Sequence, residues 1–292
     1  MSMKYTGRRV AIISGCYGLI EPLEAIFNDI KCLGIDEIYS LGNNIGYGPD
    51  SSCVIDMIEY AGIKSVVGEF EKYCILGDIP YDVSMRDDVL RTKERVITEI
   101  GGRRIDFISG FPYSYDLEVG GKNIGLCCFA DDIRIGESLD TEVFLKNVSD
   151  PSFYQRFFMT NSKSERNMIE CRMDRRGYSM TLASVLEKPI FSGEQVGFYK
   201  AIIQGNIDID KNFYCSSGGV DFYTFGSVIS FDNDMGKNIA SYTILHERRA
   251  GGGFDVERRS VLYNRYDMEK AIVNAGRRCG KVRKLFKKSQ DI

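Results

Sequence analysis

Residues 1–76 alternate between short apolar runs and amphipathic segments, and this alternation restricts the possible folds more than any other feature. The runs VAIIS, EIYSLG and KSVVG are typical of buried strands. The segments between them, PLEAIFNDIKCLG and SSCVIDMIEYAG, carry apolar residues at helical spacing and end in glycine, so they predict helices, the second with a serine cap. A strand–helix–strand–helix–strand order predicts parallel strands joined by right-handed crossovers.

The middle of the chain changes from a helical to a β pattern. Residues 85–108 predict a helix with a break at Gly101–Gly102. From Tyr113 the segment YSYDLEVGGKNIGLCCF predicts a hairpin that turns at Gly120–Gly121. The chain therefore combines a parallel α/β beginning with an antiparallel β continuation.

The second half of the chain is patterned less evenly. Short strands return after Lys188, and residues 267–288 predict a basic helix. Residues 132–180 mix aromatic and basic side chains without a clear period. Because no internal repeat or low-complexity linker divides the sequence, we predict one domain over residues 1–292 with an insertion at about 132–180.

Composition excludes several classes of site. The chain has one histidine, His246, so it cannot form a multi-histidine metal site. Its nine cysteines include no CxxC pair, which favours reduced core thiols over zinc ligands. No apolar run approaches the roughly 20 residues that cross a bilayer, and the N-terminus lacks an apolar leader. We expect a cytoplasmic protein without a transmembrane segment.

Two long segments carry a family resemblance. They are LEAIFNDIKCLGIDEIYSLGNNIGYGPD, followed by VVG, and FGSVISFDNDMGKNIASYTIL. From about Arg9 to about Ala275, outside 132–180, the chain resembles the calcineurin-like metallophosphoesterases, most closely their small bacterial and archaeal phosphodiesterase branch. The resemblance implies an α/β (α+β) fold, a β-sandwich of two mixed sheets flanked by helices. It also implies a two-metal centre at the strand ends.

The family builds that centre from five short motifs: Asp-x-His, Gly-Asp, Gly-Asn-His-Asp, a histidine closing an apolar strand, and Gly-His-x-His. The resemblance implies that this chain is degenerate, because each metal ligand and the catalytic histidine are replaced. In motif order the matching positions are Gly15 and Tyr17; Asn43; Glu69, Phe70 and Glu71; Phe129, or alternatively Cys128; and Glu194, Gln195 and Val196. The glycines that shape the family's turns remain at Gly18, Gly42, Gly46, Gly48, Gly68 and Gly193.

These replacements predict a catalytically inactive protein that holds no metal and no other cofactor. Two-metal hydrolysis needs two cations about 3.5–4 Å apart that share a carboxylate. Asn43 cannot bridge as a carboxylate does, and Phe70 and Val196 offer no lone pair. We expect aromatic side chains to fill the site, and the glutamates to face solvent or pair with arginines.

Alternative readings of the same residues stay open. The acids could hold one hard cation in an altered phosphodiesterase or phosphatase, or act as an acid–base pair. Asn43, Asn44, Glu69 and Gln195 could instead bind a nucleotide or other small ligand without hydrolysis. Cys16, without a histidine partner, is expected to be a packed thiol, and His246 a surface or locally bonded residue.

We expect a protein partner or self-association, because the eukaryotic retromer subunit with this fold is a protein-binding scaffold. Two segments of the chain are candidate surfaces for such a partner. Aromatic and arginine residues are enriched where proteins bind each other, although the same residues also form cores. The basic C-terminus could alternatively contact nucleic acid or an anionic membrane, or simply suit a helix dipole. The candidates are Phe153, Tyr154, Arg156, Phe157 and Phe158 in the insertion, and Arg277, Arg278, Lys281, Arg283, Lys284, Lys287 and Lys288 at the C-terminus.

Overall fold

A computed structural model describes residues 7–76, 83–128, 201–205, 213–217, 220–225, 228 and 238–275. In 83–89, 201–205, 213–217 and 220–225 the structure describes the backbone only. The predicted insertion at 132–180 lies outside the described residues, so the domain organisation stays a prediction. Within the described residues, no helix is both long enough and apolar enough to span a membrane.

The described strands form two mixed sheets of five strands each. Their bounds are β1 (Arg9–Ile13), β2 (Ile38–Ser40), β3 (Lys64–Ser65), β4 (Ser114–Val119), β5 (Lys122–Cys127), β6 (Ala201–Gly205), β7 (Phe213–Ser217), β8 (Val220–Phe225), β9 (Ile239–Glu247) and β10 (Phe254–Leu262). The first sheet has the order β10-β9-β1-β2-β3 and the second β4-β5-β6-β8-β7. In the first sheet, β1, β2 and β3 are parallel to one another, as the alternating pattern predicts, and β9 is antiparallel to both of its neighbours, β1 and β10.

The helices follow the predicted order, with two corrections. Their bounds are α1 (Ile20–Cys32), α2 (Ser51–Tyr60), α3 (Glu69–Glu71), a π-helical turn (Lys72–Leu76), α4 (Val83–Ser109) and α5 (Arg265–Ala275). The serine cap predicted for α2 is wrong, because the chain enters the helix one residue earlier, at Asp50, without a side-chain capping bond. The basic helix predicted for 267–288 begins slightly earlier, and its part beyond Ala275 lies outside the described residues.

Gly101 interrupts α4, as the sequence predicts. Its φ of +69° is left-handed, and glycine adopts this region without the steric penalty that a Cβ brings. The hairpin predicted at Gly120–Gly121 is confirmed by the antiparallel pairing of β4 with β5. These two local predictions succeed because glycine specifies both conformations within a few residues.

The core lies in two layers on either side of the first sheet. Ala11 and Ile13 of β1 belong to a cluster that includes the apolar faces of α1 and α2. The alternate residues Val10 and Ile12 belong to a second cluster with β4 and β5, between the two sheets. The two-residue period of a strand therefore divides β1 between a helical layer and a sheet interface. This arrangement is the helix-flanked β-sandwich that the resemblance implies.

Candidate functional site

The loops after β1, β2 and β3 converge at one edge of the first sheet. The backbone N–H of Gly15 donates to the carbonyl of Gly42 at 3.0 Å, and that of Tyr17 to the carbonyl of Asn43 at 2.9 Å. Parallel strands bring their carboxyl ends together, so residues from separate motifs become neighbours. The structure thus assembles the first three motif segments into one site.

The loops after β2 and β3 touch backbone to backbone. Gly42 has a φ of +83°, and a Cβ there would lie 2.5 Å from the Cα of Gly68. A Cβ on Gly68 would lie 2.0 Å from the backbone nitrogen of Asn43. Glycine is required at both positions because no other residue leaves room for this approach.

Three aromatic rings fill the space beside these loops. Tyr17 and Phe70 are each 1% exposed, and their ring centroids lie 5.7 Å apart in an edge-to-face arrangement. Tyr47 completes the cluster at 4.7 Å from Phe70 and 6.0 Å from Tyr17. Such contacts add to the burial of the rings themselves. Tyr17 and Phe70 were expected here, whereas Tyr47 was missed, and the only signal for it was its position between two turn glycines.

The Asn43 side chain is used inside the protein. Its Oδ1 accepts the backbone N–H of Phe70 at 3.0 Å, and its Nδ2 donates to Sγ of Cys128 at 3.7 Å. The residue is 2% exposed and has a left-handed φ of +57°. Both functional atoms of this amide therefore connect neighbouring loops.

Glu71 is the most enclosed charged group of the site, with 0% exposure. Its Oε2 accepts the backbone N–H groups of Asn43 and Gly68, each at 3.0 Å. Its Oε1 accepts the backbone N–H of Asn44 at 2.7 Å, that of Ile45 at 3.4 Å and the Asn44 side-chain amide at 3.1 Å. Burial raises the pKa of the Glu71 carboxyl, while the backbone N–H bonds from Asn44 and Asn43 oppose that rise.

The expectation that the glutamates face solvent or pair with arginines is wrong for Glu71. Backbone N–H groups replace water and arginine as its partners, so the carboxylate remains satisfied inside the protein. Glu69 is also buried, at 8% exposure, and accepts the Tyr73 hydroxyl at 2.5 Å. Neither acid is a solvent-facing loop residue.

A second row of polar side chains supports the loops and was only partly anticipated. Ser40 Oγ donates to Asn44 Oδ1 at 2.6 Å, and Asn44 Nδ2 donates to Ser65 Oγ at 2.9 Å. Asn44 was considered as a ligand-binding residue, but its amide is 0% exposed and bonded inside the protein. The two serines were missed; their only signal is that each lies at the end of a strand.

Comparison with known proteins assigns this architecture. No protein-family model matches the chain. The hypothetical protein PH1004 from Pyrococcus horikoshii OT3 superimposes with a TM-score of 0.61 at 15% identity, over 95% of this chain and 97% of that chain. The metallophosphoesterase from Sphaerobacter thermophilus superimposes with a TM-score of 0.52 at 16% identity, over 95% of this chain and 98% of that chain. The chain has the metallophosphoesterase fold.

One curated protein is similar in sequence to part of this chain. The uncharacterized protein MJ0912 of Methanocaldococcus jannaschii is 30% identical over 118 residues, which are 39% of this chain and 46% of that protein. The match thus spans about half the length of the curated relative. The prediction of the metallophosphoesterase fold is confirmed by the two solved structures.

Cys16 and His246 are the two remaining residues that the sequence singled out, and both are buried. Burial, followed by the charge of Glu71, raises the pKa of Cys16 to about 12, which disfavours the thiolate and agrees with a packed thiol. His246 Nε2 lies 2.6 Å from Glu257 Oε2, as expected of a locally bonded histidine. The surface alternative for His246 is wrong, because this residue is 4% exposed.

The other predicted site residues lie outside the part of the chain that the structure describes. Among the residues that the structure describes, no group of three or more His, Cys, Asp or Glu is placed to hold a metal ion. The predicted site residues outside the described part are Phe129, Glu194, Gln195 and Val196. The candidate partner-binding residues outside it are Phe153, Tyr154, Arg156, Phe157, Phe158, Arg277, Arg278, Lys281, Arg283, Lys284, Lys287 and Lys288.

Proposed function

We propose that this protein uses the metallophosphoesterase fold without phosphoesterase catalysis and acts by binding another protein, as a scaffold or assembly component. The observation that carries the proposal is the packing of Phe70 against Tyr17 at two of the positions where the family resemblance implies a catalytic histidine and a metal ligand. A fold does not determine activity, so the argument depends on the chemistry of these side chains.

The described side chains offer few groups to a pair of cations. Gly15, Tyr17 and Phe70 supply no carboxylate or imidazole, and the Asn43 amide is engaged by Phe70 and Cys128. Both oxygens of Glu71 point at N–H donors, which repel a cation. A shared carboxylate is the central requirement of two-metal hydrolysis, and the matching residue here is an amide.

A paired measurement on the purified protein tests the loss of catalysis. After loading with Mn²⁺, bound metal is determined by elemental analysis, and hydrolysis of a generic phosphodiester is followed. We expect metal far below one equivalent and hydrolysis at background. Stoichiometric metal with turnover that disappears in the Glu69→Ala and Glu194→Ala variants would instead establish an altered metal-dependent phosphodiesterase or phosphatase.

The same preparation tests small-ligand binding without hydrolysis. The internal bonds of Asn43 and Asn44 argue against this alternative, because their amides would have to leave protein partners to reach a ligand. We expect no binding below millimolar concentration in a titration with a nucleotide panel. Saturable binding in that range would replace the protein-binding proposal with a ligand-binding one.

The partner surface is proposed to lie in the insertion, the basic C-terminal segment, or both. Co-purification of wild-type protein with its partner is compared with two variants, one with residues 277–288 neutralised and one with Phe153 and Phe157 changed to serine. We expect at least one variant to lose the partner while keeping its melting temperature. Retention by nucleic acid or by anionic vesicles, lost only in the neutralised variant, would indicate the alternative contact of the basic segment.

A further inference from the structure

The carboxylate of Glu71 is surrounded by donors from two separate loops. Three backbone N–H groups come from the consecutive residues Asn43, Asn44 and Ile45 after β2, and a fourth comes from Gly68 after β3. The Asn44 side-chain amide is a fifth donor. All five lie within 3.4 Å of a Glu71 oxygen, and the carboxylate has no exposure to solvent.

Consecutive backbone N–H groups around a left-handed residue form a concave site that attracts anions. The left-handed φ of Asn43, +57°, turns the loop after β2 in this way. A simple helix cap would explain only the bond from Gly68 to Glu71, at the start of α3. The other four donors, the three backbone N–H groups of residues 43–45 and the Asn44 side-chain amide, belong to the loop after β2 and not to α3. Helix capping therefore does not account for them.

We propose that the loops after β2 and β3 form a backbone anion site for a carboxylate, and that Glu71 is its resident ligand. The loops at the edge of the first sheet, where the family's metal centre would lie, are thus held by an internal anion, the Glu71 carboxylate. The site holds the two loops together across the close approach of Gly42 and Gly68. The inference goes beyond the proposed function and does not depend on it, since the loops need this anchor whether or not the protein turns over a substrate.

Removal of the resident carboxylate should leave a site that a free carboxylate occupies. The test compares wild-type protein with Glu71→Ala, Glu71→Gln and the matched control Glu69→Ala, by thermal unfolding in sodium formate and in sodium chloride of equal ionic strength. We expect the melting temperature of Glu71→Ala to fall by about 5–10 °C, because several buried donors lose their acceptor. Formate should restore at least half of this loss and saturate, and should leave wild-type protein and Glu69→Ala at their chloride values.

Glu71→Gln keeps the inference testable if Glu71→Ala does not fold. Its amide fills the same volume, but its NH₂ group meets N–H donors whichever way it is turned, since each Glu71 oxygen accepts at least two of them. We expect this variant to melt several degrees below wild-type protein and to gain nothing from formate. Glu71→Gln with wild-type stability, or an equal formate effect on all four proteins, would overturn the inference. A negative metal assay has no bearing on either outcome, so the two proposals fail separately.

Discussion

Glu21, in the first turn of α1, provides a sharp test of the electrostatics of the helical layer. Its Oε2 atom is buried and accepts no hydrogen bond from any residue that the structure describes. Burial is the largest influence and, with the charges of Asp50, Glu24 and Asp267, raises the pKa of Glu21 to about 7 against the opposing effect of its own backbone. An acid with a raised pKa in the folded protein lowers stability as pH rises.

The size of this effect follows from proton linkage. The unfolded chain loses the Glu21 proton near its ordinary pKa of 4.5, whereas the folded protein keeps it until about pH 7. Unfolding is therefore increasingly favoured between these two values, by about 3 kcal/mol if the shift is expressed in full. The side chain is only half-buried, and solvent screening reduces the expected penalty to about 1–2 kcal/mol.

The perturbation is Glu21→Gln, which removes the charge and keeps the shape. Urea denaturation at pH 8 should show the variant more stable than wild-type protein by about 1–2 kcal/mol, and at pH 4.5 the difference should vanish. Glu94→Gln is the matched control, since Glu94 is an exposed helical acid on α4 and is not among the charges that raise the pKa of Glu21. The reasoning is refuted if Glu21→Gln differs from wild-type protein by the same amount at both pH values.

Three further predictions concern packing and pairing. The Asp29 carboxylate accepts hydrogen bonds from the Arg259 guanidinium and the Tyr242 hydroxyl. Burial alone would raise the pKa of Asp29, but these hydrogen bonds outweigh it and the pKa is lowered. Asp29→Asn should cost about 1–2 kcal/mol at pH 7 in urea denaturation, and the loss should shrink once pH falls below 3.8, the ordinary pKa of the group, and disappear below the lowered pKa; a loss that does not shrink at all below pH 3.8 argues against pairing. Phe70→Ala should cost about 3–5 kcal/mol in the same assay, because its ring is fully buried, and a loss below about 1 kcal/mol would contradict its role in filling the site. Gly42→Ala should lower the melting temperature more than Gly34→Ala, since both have a positive φ but only Gly42 faces the backbone of the β3 loop; equal losses would mean that backbone strain alone matters.

Much of the secondary structure follows from local pattern. Leu23, Ile26 and Ile30 lie on one face of α1 by their spacing alone, and the structure buries all three. Gly101 and the Gly120–Gly121 pair mark a kink and a turn because only glycine adopts those conformations readily. The approach of the first three motif segments was also predictable, since parallel strands end at the same edge of a sheet.

The partners of each side chain were not predictable in this way. Nothing near Glu71 in sequence indicates that the loop of Asn43, Asn44 and Ile45 supplies most of its hydrogen bonds, and the sequence suggested solvent or arginine instead. Tyr47 joined Phe70 in the same manner, through a contact that no periodic pattern expresses.

The sequence by itself determined where strands, helices and glycine turns occur, because periodicity and backbone sterics act over a few residues. Through the family resemblance it also predicted that the side chains at the described motif positions differ from the family's ligands. Only the tertiary structure decided that β9 lies between β1 and β10, that three aromatic rings pack together beside the loops after β1, β2 and β3, and that a buried carboxylate joins two loops. Sheet order, ring packing and buried hydrogen bonds connect residues that are distant along the chain, so they depend on how all the elements assemble.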